Sequence, residues 1–135
     1  LNKVFIDTSF VVAIVNEKDQ HHDRASELAD LFDGYPLITT DAVLVEVGNA
    51  LARNFKEQAS EIIEDFLTSD EVEIVFLDGA LFQSAFELYR THKDKAWGMT
   101  DCISFIVMRE RGIADALTND KDFRQAGFTA LMRES

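Results

Sequence analysis

The chain holds a single cysteine and a single proline, and each scarcity closes off an architecture. One thiol, Cys102, cannot build an internal disulfide framework or a multi-cysteine zinc site. Pro36 stands alone, and there is no Gly/Ser linker, internal repeat or low-complexity tract to mark a domain boundary. No apolar stretch reaches the roughly 18 residues that a spanning helix needs. No basic segment followed by an apolar run marks a secretion signal. A cytoplasmic protein without a membrane span is the expectation. Positive charge is also scarce: 13 Lys and Arg against 25 Asp and Glu leave a net charge of −12. A protein that grips nucleic acid across its general surface is basic, because phosphate contacts dominate that affinity. Any contact with nucleic acid must here be local or carried by cations. Most of the acids need no role beyond keeping the protein soluble.

What is present reads as globular: 47% hydrophobic and 28% charged residues, enough for a continuous core in one domain over 1–135. Short apolar runs alternate with longer amphipathic ones. Strands are expected at 3–6, 36–39, 72–77, 114–120 and 128–132. Helices are expected at 8–16, 21–34 (closed by Gly34), 41–53, 57–69, 79–92 and 100–112. The helix over 41–53 has Val43, Leu44, Val47 and Leu51 at helical spacing. Phe66, Phe76, Phe82, Phe86 and Phe105 are expected in the core. Alternating strands and helices predict an α/β domain with a mainly parallel sheet.

In such sheets ligands bind beyond the carboxyl ends of the strands, where strand order reverses. That rule selects among the acids. Asp7 follows the first strand in "VFIDTSF", and Asp120 follows "DALT", with Asp122 two residues on. Asp101 opens its helix behind Thr100, read as an N-cap. Each has a purely structural reading, as a helix cap, a dipole partner or a turn former. Glu46 fits such a reading less well, because Val43, Leu44, Val45 and Val47 surround it in sequence and a lone buried carboxylate is costly. Four acids gathered at one end of a sheet would repel one another. A hard divalent cation such as Mg²⁺ or Mn²⁺ relieves that repulsion.

The segments "VFIDTSF", "VLVEVGNAL", "WGMTDCISFIVM", "LTNDKDF" and "AGF" together resemble the PIN-domain nucleases, above all the VapC-type toxins of toxin–antitoxin pairs. The resemblance runs from residue 4 to about residue 128. It implies a three-layer sandwich with about five strands flanked by helices. It also implies metal-assisted hydrolysis of RNA phosphodiesters at Asp7, Glu46, Asp101 and Asp120, with Mg²⁺ or Mn²⁺ as cofactor. Thr8, Ser9, Asn49, Thr118 and Asp122 fall where they would support those acids or water. Two positions depart from the pattern: Gly98 stands where many relatives carry serine, and Asp122 where many carry histidine. A VapC-like toxin is further expected to form a homodimer and to bind an antitoxin, one of whose basic side chains enters the acidic pocket.

RNA approaching so acidic a protein needs a basic rim. Arg90, Lys93 and Lys95 precede Asp101, and Lys121 and Arg124 follow Asp120. Both groups are expected to meet phosphates. His21 and His22 lack further nitrogen or sulfur ligands for zinc. Cys102 is expected in the core, and Trp97 is expected to anchor the loop 92–99, with base stacking as its alternative role. A haloacid-dehalogenase-like phosphatase also begins with a strand ending in aspartate, but it needs a second acid two residues on, where this chain has Ser9. A non-catalytic binding module is expected to have lost a carboxylate, and here all four are present. A housekeeping RNA-processing nuclease would use the same residues.

Overall fold

The computed structural model describes residues 2–134. Its elements run β1 (Val4–Ile6), α1 (Thr8–Val15), α2 (His22–Leu31), β2 (Leu37–Thr40), α3 (Asp41–Leu51) and α4 (Lys56–Thr68). They continue with β3 (Val72–Val75), α5 (Gly79–Thr91), α6 (Met99–Arg111), β4 (Asp115–Leu117), α7 (Lys121–Gln125), β5 (Thr129–Ala130) and a 3-10 turn, Leu131–Arg133. The five strands form one sheet in the order β3-β2-β1-β4-β5. Every pairing is parallel, which makes the fold an α/β sandwich with helices flanking a five-stranded sheet.

β1 occupies the middle, and its three residues are all buried, as a strand covered on both faces must be. Phe5 pairs with Ile38 on one side and Ala116 on the other. The chain leaves β1 towards β2 and returns on the opposite side as β4, so strand order reverses between β1 and β4. The Asp7 N–H bonds the Leu117 carbonyl at 3.1 Å, carrying this seam one residue past β1. A crevice at the carboxyl ends of these two strands therefore follows from topology alone.

α6 is the central helix. Cys102, Ile103, Ser104, Phe105, Val107 and Met108 are buried, so it is enclosed on most sides. Phe105 sits at the hub of an aromatic cluster, with ring centroids 5.1 Å from Trp97, 4.9 Å from Phe123 and 5.7 Å from Phe128. Burying a phenylalanine contributes about 1.5–3 kcal/mol, so this cluster clamps α6, α7 and the loop before α6 together. The C-terminus closes on Gly112 in the left-handed region (φ 66°), with Arg109 and Arg111 in the last turn. That conformation favours glycine, and the two cations complement the helix dipole.

Several expectations need correction. α2 ends at Leu31, and Gly34 (φ 82°) serves the following turn instead of capping the helix. The helix over 100–112 begins at Met99 with Gly98 as its N-cap, not Thr100, whose carbonyl accepts the Ser104 hydroxyl instead. β3 stops at Val75, leaving Phe76 62% exposed, and Phe82 and Phe86 are 45% and 41% exposed. α5 turns Leu81, Ala85 and Leu88 towards the core. Phe82, Phe86 and Tyr89 sit one position further on, about 100° round the helix, and face out. Of the phenylalanines expected in the core, Phe105 is fully buried and Phe66 packs against its edge. The short helix α7 was not anticipated. Among the described residues no helix is long and apolar enough to cross a membrane.

Candidate active site

Asp7 is the first residue after β1 and is only 6% exposed. Its side chain makes no capping bond to α1. Instead Oδ2 accepts the Thr118 hydroxyl at 2.7 Å, with the Ser9 hydroxyl at 3.3 Å. Thr118 directly follows β4, so this bond ties the carboxyl ends of the two seam strands together. With its proton committed to Asp7, Thr118 Oγ1 accepts the Asp120 N–H at 3.1 Å. Ser9 Oγ likewise accepts the Asn119 N–H at 3.1 Å and lies 3.2 Å from Thr118 Oγ1. Two hydroxyls thus hold the loop that carries Asp120 against the acid on β1.

Asp101 and Asp120 keep the structural roles expected of them and face the crevice as well. Asp101 Oδ2 accepts the Gly98 N–H at 3.0 Å, fixing the first turn of α6. Asp120 Oδ1 accepts the Asp122 N–H at 2.9 Å and so caps α7. Glu46 departs from expectation. It is exposed, not buried, because Val43, Leu44, Val47 and Leu51 turn inward and leave 45, 46 and 49 on the outer face of α3. Its Oε1 accepts the Thr8 hydroxyl at 2.6 Å, which holds it over the start of α1.

All four acids, Asp7, Glu46, Asp101 and Asp120, line one cleft of about 600 Å³ together with Thr8 and Ser9. Asp122 belongs to the tightest carboxylate group: one oxygen each from Asp101, Asp120 and Asp122 lie within 4.8 Å of one another. Asn49 is exposed and does not line the cleft. Lys121 does line it, whereas Arg124 is exposed on α7 outside it. Arg90, Lys93 and Lys95 border a different cavity, beside Trp97 and Gly98. Three polar cleft residues had no signal in sequence: Asp19, Asn119 and Arg133. Asp19 lies in a turn, where its Oδ1 accepts the His21 N–H at 2.8 Å and any aspartate looks like a turn former. Arg133 arrives from the far end of the chain and donates to the Asn119 carbonyl at 2.8 Å.

Electrostatics show what such a cluster lacks. Burial pushes the Asp7 carboxyl up to about 6, against the pull of the Thr118 hydroxyl and with a further push from Asp120 and Glu46. Burial also raises Asp101 to about 7, with Asp120, Asp7 and Asp122 repelling its charge. Asp122 is raised too, by burial and by Asp120. Oxygen-only donors, converging carboxylates and unbalanced negative charge fit a hard divalent cation and no softer metal. The remaining candidates are accounted for by packing. The His22 Nδ1 lies 2.7 Å from the Ala13 carbonyl, to which it donates. Cys102 is fully buried, and burial pushes its thiol up to about 11, far from a reactive thiolate. Trp97 stacks on His92 at 5.1 Å and donates from Nε1 to Gln125 at 3.3 Å, anchoring its loop.

A parallel sheet with a carboxylate cleft at its reversal point defines a class, and comparison with known proteins agrees. A family model for the PIN domain matches residues 4–129, and the chain belongs to the PIN-domain family. Within it, the chain is 31% identical over 133 residues to the 23S rRNA-specific endonuclease VapC20 of Mycobacterium tuberculosis, in strains CDC 1551 / Oshkosh and ATCC 25618 / H37Rv. Those alignments span 97% of this chain and 99% of the relative. The crystal structure of M. tuberculosis VapC20, a Sarcin-Ricin loop cleaving toxin, matches with a TM-score of 0.85 at 30% identity. That match covers 95% of this chain and 98% of the other.

Proposed function

We propose that this protein is a divalent-metal-dependent ribonuclease that acts as the toxin of a toxin–antitoxin pair. The observation that carries the reading is the gathering of Asp7, Glu46, Asp101 and Asp120 in one cleft at the carboxyl ends of β1 and β4. Asp7, Asp101 and Asp120 would hold Mg²⁺ or Mn²⁺, with Asp122 completing the tight carboxylate group and Glu46 reaching in from α3. When bound, such a cation supplies Lewis acidity to water and to phosphate oxygens. The protein supplies the rest. Thr118 and Ser9 fix the rotamer of Asp7 and the loop of Asp120, and Thr8 orients Glu46. Lys121 and Arg133, the two cations lining the cleft, meet the phosphate of the incoming strand.

The substrate is RNA, and the ribosomal RNA loop cut by VapC20 is the first substrate to try. The outward rings of Phe82 and Phe86 on α5 support self-association into a homodimer that leaves Tyr89 free. An antitoxin supplying an arginine or lysine to the acidic cleft would neutralise it as a metal does. Incubation of RNA with the protein and Mg²⁺ or Mn²⁺ tests the central reading. Cleavage is expected to disappear with EDTA and to fall by about 10³-fold or more in Asp101→Asn. Equal cleavage by wild type and Asp101→Asn would sink it.

A further inference from the structure

Beside the acidic cleft lies a second cavity of about 560 Å³, formed by the 89–98 segment, and among the described residues no carboxylate lines it. Arg90, Lys93 and Lys95 border it, three of the chain's 13 Lys and Arg within six positions. In a chain of net charge −12 such a local excess is unusual. Tyr89, 45% exposed, and His92 add aromatic surface. Trp97 stacks on His92 and meets Phe105 edge-on at 5.1 Å, so the floor is rigid and joined to the core. The three cations are not equivalent. Arg90 is held by Glu87 at 2.8 Å and lies over the Phe86 ring. Lys95 faces only its exposed neighbour Asp94, at 3.4 Å, a pairing of little strength. Lys93 has no acidic partner within 4 Å among the described residues. Gly98 joins the two cavities: it lines this one, and its N–H is bonded to Asp101, which lines the cleft.

We propose that this cavity is a nucleotide subsite that takes an unpaired nucleotide of the strand whose reacting phosphate lies in the acidic cleft. Lys93 and Lys95 meet its phosphate, and its base packs against Tyr89 and His92. The identity of that strand as substrate rests on the ribonuclease reading. The chemistry follows from the lining. Lysines without strong acidic partners are the groups that exchange counterions for phosphate. Every base offers a face for stacking on an aromatic ring, but only an unpaired base can turn that face to a protein. The subsite therefore selects for loops and single strands without reading sequence. The cleft contributes charge for catalysis, and this cavity contributes grip and a preference for unpaired RNA.

The test uses fluorescence anisotropy of a labelled single-stranded RNA 12-mer and of its fully paired duplex, titrated with the full chain in Ca²⁺ at several salt concentrations. Mg²⁺-dependent cleavage of the same single strand is followed in parallel, and melting curves check folding. Lys93→Gln combined with Lys95→Gln is expected to weaken single-strand binding about tenfold and to make its salt dependence shallower by about 0.7 per lost phosphate contact. Lys93→Arg with Lys95→Arg restores both. Tyr89→Ala is expected to weaken binding about fivefold or more, and Tyr89→Phe is not. Wild-type affinity and salt slope in the glutamine variant, or equal losses on the duplex, would overturn the subsite. Cleavage with unchanged binding in the variants removes the subsite alone. Selective binding losses without any wild-type cleavage remove the ribonuclease reading and leave a single-strand site.

Discussion

The acidic cleft and the basic cavity are joined through the Gly98–Asp101 hydrogen bond, yet they are built on opposite principles. Five carboxylates line the first, from Asp7, Asp19, Glu46, Asp101 and Asp120, against two cations, Lys121 and Arg133. Among the described residues none lines the second. The cleft acids are supported from behind by hydroxyls and backbone N–H groups, and Asp7 is buried. Of the cavity cations, exposed or half-exposed, Arg90 at the end of α5 is held by Glu87, whereas Lys95 on the following loop has a weak partner and Lys93 none among the described residues. The difference is one of cost. Holding like charges together requires rigid scaffolding and leaves pKa values raised, whereas presenting lysines to a polyanion needs only that acids be kept away.

This contrast can be broken at its shared support. Phe105 lies one helical turn after Asp101 and packs on Trp97 beneath the basic cavity. Phe105→Ala is expected to cost about 3–5 kcal/mol of stability and to loosen both sites at once. Chemical denaturation together with metal and RNA titrations checks this. A variant that lost one site and kept the other intact would show that the two do not share this support.

Thr118→Val separates the regions instead. The substitution removes the hydroxyl that donates to Asp7 and accepts the Asp120 N–H, with little change in shape. Metal affinity and RNA cleavage are expected to fall about 10–100-fold, while single-strand binding at the basic cavity stays at the wild-type level. Calorimetric metal titration alongside the anisotropy assay reads both.

The raised carboxyls predict how the metal-free protein responds to pH. Asp7 rises from 3.8 to about 6 and Asp101 from 3.8 to about 7, so between these values the folded chain holds protons that the unfolded chain has released. From these two groups stability is therefore greatest below about pH 4, falls as pH rises from there towards 6 to 7, and levels off above. For buried Asp7 the loss is on the order of 2–3 kcal/mol. Asp101, half-buried, adds less per unit because solvent screens it. Denaturant midpoints at pH 5 and pH 8 measure the part of the effect that lies above pH 5, about half of it for Asp7. Asp7→Asn should flatten it, and Mg²⁺ at pH 8 should restore the lost stability. A stability that rose from pH 5 to pH 8 without metal would contradict the electrostatic account of the cleft. The smallest effect is expected for Arg124→Gln. Arg124 borders neither cavity, so cleavage and binding should change less than about twofold, within the usual range for a surface substitution.

Much of the site was legible because two of its acids are placed by local rules. Asp7 and Asp120 directly follow apolar strands, and in a parallel sheet such positions point to the ligand crevice. Glu46 could be found but not placed. Its valine and leucine neighbours suggested burial, and only the rotation of α3 turns it out towards the cleft. On α5 two apolar stripes lie about 100° apart, Leu81, Ala85 and Leu88 beside Phe82, Phe86 and Tyr89, and periodicity fits either as the inner face. The stripe with the larger rings is the one left outside. Arg90, Lys93, Lys95, Lys121 and Arg124 flank acids in the chain, but the structure divides them among the cleft, the second cavity and open surface.

By itself the sequence determined the alternation of strands and helices, the acids at the carboxyl ends of β1 and β4, and the family. Each depends on residues near one another in the chain, or on a pattern repeated along it. Tertiary structure alone decided that Asp122 joins Asp101 and Asp120, that Arg133 and Asp19 enter the cleft, and that the 90–95 cations form a cavity of their own. Those outcomes depend on how helices are rotated and where distant segments pack, which burial of the whole core sets and no local pattern encodes.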